Sequence, residues 1–272
     1  MSGVAFQPSS GKLPQRRIGW GTAGLLGAGA LLYVAAFPLL GISGDRVWSG
    51  FGQLGTIVEL MLPPETGGHF ALYFGALLQT LSIALLGTLL AAVFALPLGF
   101  FAARNVVAQR WVHFFARRGL DAVRSVDALI WALIWVNVVG LGPFAGLLAI
   151  ATADVAALAK LMSEAIEAAD KRPGEAVQSV GGGWWFGLRF GLLPEVLPAF
   201  ASQLLYFFES NTRSATIIGI VGAGGIGLHL YEQIRVLEWQ QAAFLIAMVL
   251  VTVAIIDAVS QRLRAGIMGR RA

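Results

Sequence analysis

Long apolar blocks separated by short polar segments dominate this chain. Ile18 to Leu40 is apolar for 23 residues, about 34 Å if helical, which exceeds the roughly 30 Å of a hydrocarbon core. That is too long for a signal-peptide core of about 7 to 15 residues, so a retained first span is expected. Further spans are expected over Ala71 to Phe101, Val126 to Leu141, Phe144 to Met162, Glu195 to Val221 and Trp239 to Leu263, six in all. The pair Val126–Leu141 and Phe144–Met162 is joined by a tight turn, Gly140-Leu-Gly-Pro143. Gly41 to Phe70 mixes charged and apolar residues and reads as a surface segment. Arg104 to Arg124 is basic and reads as a loop or surface helix.

Between the fourth and fifth blocks lies EAVQSVGGGWWFGLRFGLLP, Glu175 to Pro194. Its start is too polar to span a membrane, and it is too rich in glycine to be one rigid helix. Pro173 suits a first helical turn, where its missing N–H costs nothing, and Glu175 complements the positive end of the helix dipole. Gly181 to Gly183 should end that helix. Trp184 to Leu193 then forms a second short segment, and Pro194 restarts the chain into the fifth block.

Composition excludes an ordinary soluble domain. Residues are 57% hydrophobic and 12% charged, against about 25% charged in soluble proteins. The 34 glycines fit close helix approach in lipid, and no long alternating runs point to strands. The class is an all-α membrane protein. With no cysteine there is no thiolate metal site, and His69, His113 and His229 lack a ligand-like spacing. No metal is expected.

Sixteen of the 19 Lys and Arg residues fall in the N-terminal tail, the 104–124 segment, residues 160–190 and the C-terminal end. By the positive-inside rule this places both termini and the Glu175–Pro194 loop in the cytoplasm. The net charge of +4 thus reports topology and lipid contact, not nucleic acid. The expected organisation is a cytoplasmic tail over 1–17, a transmembrane domain over 18–264 containing the cytoplasmic loop 163–194, and a C-terminal tail over 265–272.

The Glu175–Pro194 loop resembles, position by position, the cytoplasmic signature of ABC-importer permeases: Glu-Ala-Ala, three residues, Gly, nine residues, Ile, one residue, Leu-Pro. Glu175, Ala176, Gly181, Leu193 and Pro194 match, while Val177 and Gly191 depart from the pattern's Ala and Ile. The run from Tyr206 to Gly227, together with Leu96-Pro-Leu-Gly99, Ala102-Ala-Arg-Asn105 and Gly140–Pro143, is similar to phosphonate ABC-transporter permeases. This resemblance implies a type I ABC-importer permease fold of six transmembrane helices. It also implies a second copy of the chain, two cytoplasmic ATPase subunits that bind ATP and Mg, and an extracytoplasmic phosphonate-binding protein. The matching loop residues would couple to the ATPase.

Within the expected fifth span, Glu209 and Arg213 are four apart and can pair on one helix face. Intramembrane charge is expensive, so Glu209, Asn211, Arg213, Ser214 and Thr216 either line a pathway for an oxyanion or pin helices together. Asp127, Asp154, Glu195 and Asp257 read as interfacial or helix-end groups near span ends. Gly222, Gly224, Gly225 and Gly227 match G-x-G-x-x-G, but they follow an apolar helix, with no acidic residue at the distance a dinucleotide site needs. They are expected to form a tight turn at an outer gate. No P-loop motif occurs, so the chain is expected to be a non-catalytic subunit. The same architecture could serve another solute, such as phosphate, phosphite or methionine. A self-contained channel or ion-coupled carrier is the remaining alternative, and the Glu175–Pro194 signature argues against it.

Overall fold

The computed structural model describes residues 20–41, 43–107 and 109–268, and every described element is helical. The described residues divide into two units at Glu59 and Leu60. In the first, α1 (Trp20–Leu39) is followed by α2 (Gly44–Leu60). The expected first span begins outside the described residues, as does the tail over 1–17, but α1 covers the rest of it. Its twenty residues amount to about 30 Å of helix. Asp45 sits in the first turn of α2, and Arg46 Nη1 donates to the Gly41 carbonyl at 3.1 Å.

The second unit contains α3 (Phe70–Ala102), α4 (Arg110–Arg124), α5 (Ala128–Val139), α6 (Pro143–Ala168) and α7 (Arg172–Ser179). A single turn, α8 (Trp184–Phe186), continues through a π-helical stretch (Gly187–Leu192) into α9 (Leu193–Ile218). A second π-wound stretch (Gly219–Ala223) precedes α10 (Ile226–Arg235) and α11 (Trp239–Met268).

The axis of this unit is α3. It is apolar on all sides, as a helix between protein and lipid must be. Tyr73, Ala76, Ala84, Ala91 and Ala95 are buried on one side, while Leu78, Leu85, Leu89 and Phe94 are exposed on the other. Three apolar clusters lie along the buried side. The first joins Ala91 and Ala95 to Leu158, Met162 and Ile166 of α6 and to Phe200 of α9. The second joins Ile83 and Ala84 to Ile150, Ala215 and Ile218. The third joins Tyr73 and Leu77 to Ile226 of α10 and Leu245 of α11. The abundance of alanine lets helix backbones approach closely, which is how packing is gained where lipid is as apolar as leucine.

Four described helices are long and apolar enough to cross a membrane: Phe70–Ala102, Pro143–Ala168, Trp184–Ala223 and Trp239–Ile267. The expected span Val126–Leu141 is shorter. Its helix α5 has 12 residues, about 18 Å, and meets α4 at a bend of 85°. Asp127 starts α5 by accepting from the Leu129 N–H at 2.8 Å, and Gly140, at φ +91°, ends it. If the bent pair is one span the count is five, with α1 lying in the other unit.

Candidate functional site

The helix expected at the start of the loop forms as α7, with proline in its first turn and Glu175 at the dipole's positive end. Its Glu175, Ala176, Gln178, Ser179 and Val180 are exposed. Gly181, at φ +86°, then reverses the chain.

The second segment differs from expectation, because Pro194 restarts nothing. Trp184 to Ile218 runs as one helix, and the stretch before Pro194 is wound wide, with the Leu193 N–H bonding to the Leu188 carbonyl five residues back. Proline has no N–H to donate, and a π turn absorbs the missing bond without breaking the helix. Gly191 is buried against α7, where a Cβ would stand 2.6 Å from the Gly174 Cα. Two glycines therefore let α7 lie directly on the π-wound stretch, and an isoleucine at 191 would not fit. A further hydrogen bond, from the Asp170 N–H to Glu195 Oε1 at 2.9 Å, closes the hairpin. A cleft of about 370 Å³ opens between the two arms, lined in part by Lys171, Glu175, Gln178, Trp184 and Leu188.

The polar residues of α9 divide between two sides. Glu209 and Arg213 approach as expected, at 3.7 Å, but Glu209 is held more closely by Arg264 of α11, whose Nη2 donates to Oε2 at 2.6 Å. Arg213 also reaches Asp257 of α11 at 3.5 Å. The result is a four-member chain of alternating charge between α9 and α11. Beside it, Ser202, Gln203, Tyr206, Gln261 and Arg264 line a cleft of about 450 Å³.

Asn211 faces elsewhere. Buried at 6% exposure, it donates to Thr88 Oγ1 of α3 at 2.8 Å and to Asp154 Oδ2 of α6. Asp154 is accordingly not an end group, as its sequence position suggested, but a buried carboxylate in the middle of α6. Asp257 is likewise internal to α11, whereas Asp127 and Glu195 do serve helix ends. Thr216 turns its hydroxyl back to the Thr212 carbonyl at 3.3 Å, and Ser214 is half-buried.

The glycine turn is buried rather than exposed. Gly222, Gly224 and Gly225 have φ of +93°, +82° and +78°, a conformation that other residues rarely adopt. The Gly222 carbonyl accepts from the Gly142 N–H at 3.0 Å, so the turn packs on the Gly140–Pro143 turn. Gln79 and Thr80 of α3 accept from the Gly225 and Ile226 N–H groups, both at 2.8 Å. Gly227 lies where a Cβ would overlap the Thr216 carbonyl oxygen, which brings α10 onto α9.

Arg264, Asp257, Thr88 and Asp154 were not singled out together by the sequence. The signal was present for one pair: Asp257 and Arg264 are seven apart, two turns along one face of α11, opposite a pair spaced by four on α9.

Residues 95–268 match the model of a protein family described as the binding-protein-dependent transport system inner membrane component. The chain is 37% identical over 262 residues to the phosphate-import permease protein PhnE of Mycolicibacterium smegmatis, covering 96% of this chain but only 49% of that protein. It therefore spans about half the length of that relative. It is 36% identical over 233 residues to the putative phosphite transport system permease protein HtxC of Stutzerimonas stutzeri, covering 86% of this chain and 82% of that one. Among solved structures, the MetNI methionine ABC transporter in an inward-facing conformation matches with a TM-score of 0.65 at 18% identity, over 75% of this chain and 99% of that chain. An amino acid ABC transporter crystallised with histidines matches with a TM-score of 0.61 at 16% identity, over 75% and 95% of the two chains.

Proposed function

Since the chain belongs to the family of binding-protein-dependent transport system inner membrane components, and so is an ABC-importer permease, we propose that it forms the translocation pathway for phosphonates or related phosphorus oxyanions. In this assembly two copies of the chain enclose the pathway, and two cytoplasmic ATPase subunits bind ATP and Mg. A binding protein delivers cargo from outside, and both termini lie in the cytoplasm.

The observation that carries this proposal is α7 held against a helix that runs unbroken from Trp184 to Ile218. An ATPase gripping the exposed Glu175, Ala176 and Gly181 would move α9 as one body, with Leu193 and Pro194 transmitting the shift inside it. Movement of α9 would act on the Glu209–Arg264 link, on the Asn211–Asp154 seam, and on the turn at Gly222 to Gly227. Arg213 has 47% of its side chain exposed and offers a fork that matches two oxygens of a phosphonate. Glu209, Asn211, Ser214 and Thr216 would hold that fork in place.

The test is uptake by proteoliposomes containing the chain, its ATPase and its binding protein. ATP-dependent accumulation of radiolabelled methylphosphonate, competed by phosphite or phosphate but not by methionine, is expected. Accumulation of methionine with no uptake of any phosphorus oxyanion would overturn the proposed cargo.

A further inference from the structure

Where the chain leaves α3 and enters α4, Arg104, Val107, Arg110, Trp111, His113 and Phe114 line an open cleft of about 860 Å³. Its cations differ from the others nearby. Arg117 is bonded to Glu167 at 3.0 Å and Arg118 to Asp121 at 3.4 Å, whereas Arg110 has no acidic partner among the described residues. Arg104 gives its Nε–H to His113 Nε2 at 3.3 Å, which makes that nitrogen an acceptor and leaves the imidazole neutral. Its backbone N–H bonds Glu167 Oε1 at 2.9 Å, so the guanidinium's other N–H groups remain to face the cleft. Two guanidinium groups thus share one concavity without a carboxylate of their own.

The wall of the cleft is aromatic. Trp111 is 70% exposed and stacks on Phe115, itself 67% exposed, and Phe114 is also exposed. A helix with cations and exposed Trp and Phe, bent 85° from the apolar helix that follows, has the make-up of one lying in the membrane interface. Basic pockets at that level suit anionic headgroups.

We propose that this cleft binds the headgroup of an anionic phospholipid, with Arg104 and Arg110 on the phosphate oxygens and Trp111 and Phe114 against the glycerol and first acyl carbons. The site depends on the chain's place in a membrane and not on its cargo. A free phosphorus oxyanion shares the headgroup chemistry but has nothing to lay on the aromatic wall.

The test titrates the full-length chain in detergent with phosphatidylglycerol, phosphatidylcholine or inorganic phosphate, counting bound species by native mass spectrometry. Phosphatidylglycerol should bind in preference to phosphatidylcholine and resist millimolar phosphate. Arg110→Gln should weaken it about tenfold, the effect of one charge-assisted hydrogen bond, while Arg118→Gln, outside the cleft, should not. Trp111→Ala, which keeps every charge, should also weaken it. Equal losses in Arg110→Gln and Arg118→Gln would reduce the effect to net charge. Displacement by inorganic phosphate would make this a free-oxyanion site. No preference between the two lipids would also overturn the proposal. Arg110 is exposed and without a partner, so its variant keeps the test intact even where the Arg104/Arg110 double variant fails to fold.

Discussion

Glu209 is bonded to Arg264, 55 residues away on another helix, at 2.6 Å, more closely than to Arg213 one turn along its own helix at 3.7 Å. The inter-helix partner is also the better protected, with 20% of the Arg264 side chain exposed against 47% for Arg213. Arg264→Ala strands a carboxylate that is 12% exposed, a loss of about 3–5 kcal/mol by analogy with broken buried pairs. Arg213→Ala should cost about 1 kcal/mol or less. Thermal unfolding of the detergent-solubilised variants checks the order, and a larger loss for Arg213→Ala would contradict it.

Asn211 joins three helices through two acceptors. Asn211→Ala should destabilise by about 1.5–3 kcal/mol, because it leaves the buried Asp154 without that donor. Asp154→Asn, which still offers an oxygen acceptor, should cost less. Adding Asp154→Ala to Asn211→Ala should cost less than the sum of the two single losses, and strict additivity in the same unfolding assay would mean that the pair is not coupled.

Gly227 and Gly181 should respond oppositely to alanine. At Gly227 the added carbon meets the Thr216 carbonyl, so α9 and α10 must part and the yield of monodisperse protein should fall sharply. Gly181 has open space around it, and Gly181→Ala should cost only about 1–2 kcal/mol for its left-handed backbone. Size-exclusion profiles of the two variants compare them directly.

Glu175→Lys changes an exposed side chain, so stability should shift by no more than about 0.5 kcal/mol. ATP hydrolysis stimulated by the binding protein should nonetheless fall several-fold if α7 is the surface the ATPase grips. Full stimulation with the variant would remove α7 from that role. Gly191→Leu should lower both stimulation and stability, since it pries α7 from its seat on the helix beneath.

Much of this architecture was legible because lipid imposes long apolar blocks, and because Gly140–Pro143, Pro173 and Gly181 act through the backbone alone. The pairing of Glu209 with Arg213 was readable from a spacing of four. What was not readable depended on which way a helix faces. Asn211 and Glu209 are two apart, so they point to different neighbours, yet the sequence groups them in one polar run. Asp154 looked like an end group until α3 and α9 closed over it. The amphipathic helix α10 was hidden behind the glycines that precede it, and the short α5 was overestimated because apolar length continues past the glycine that ends it. Gly191 appeared as a departure from a pattern, and only the contact with Gly174 explains it.

The wide-wound stretch before Pro194 acts as a phase setting for everything downstream. Between α8 and the polar residues of α9 no joint exists to take up a change in chain length. Removing one residue from Gly187–Leu192 would rewind it to an α-helix and rotate the rest of α9 by about 100° relative to the loop. Glu209 would then swing away from Arg264 and Asn211 out of its seam, although every side chain in both networks were unchanged. At this point of the chain the number of residues is held more tightly than their identity.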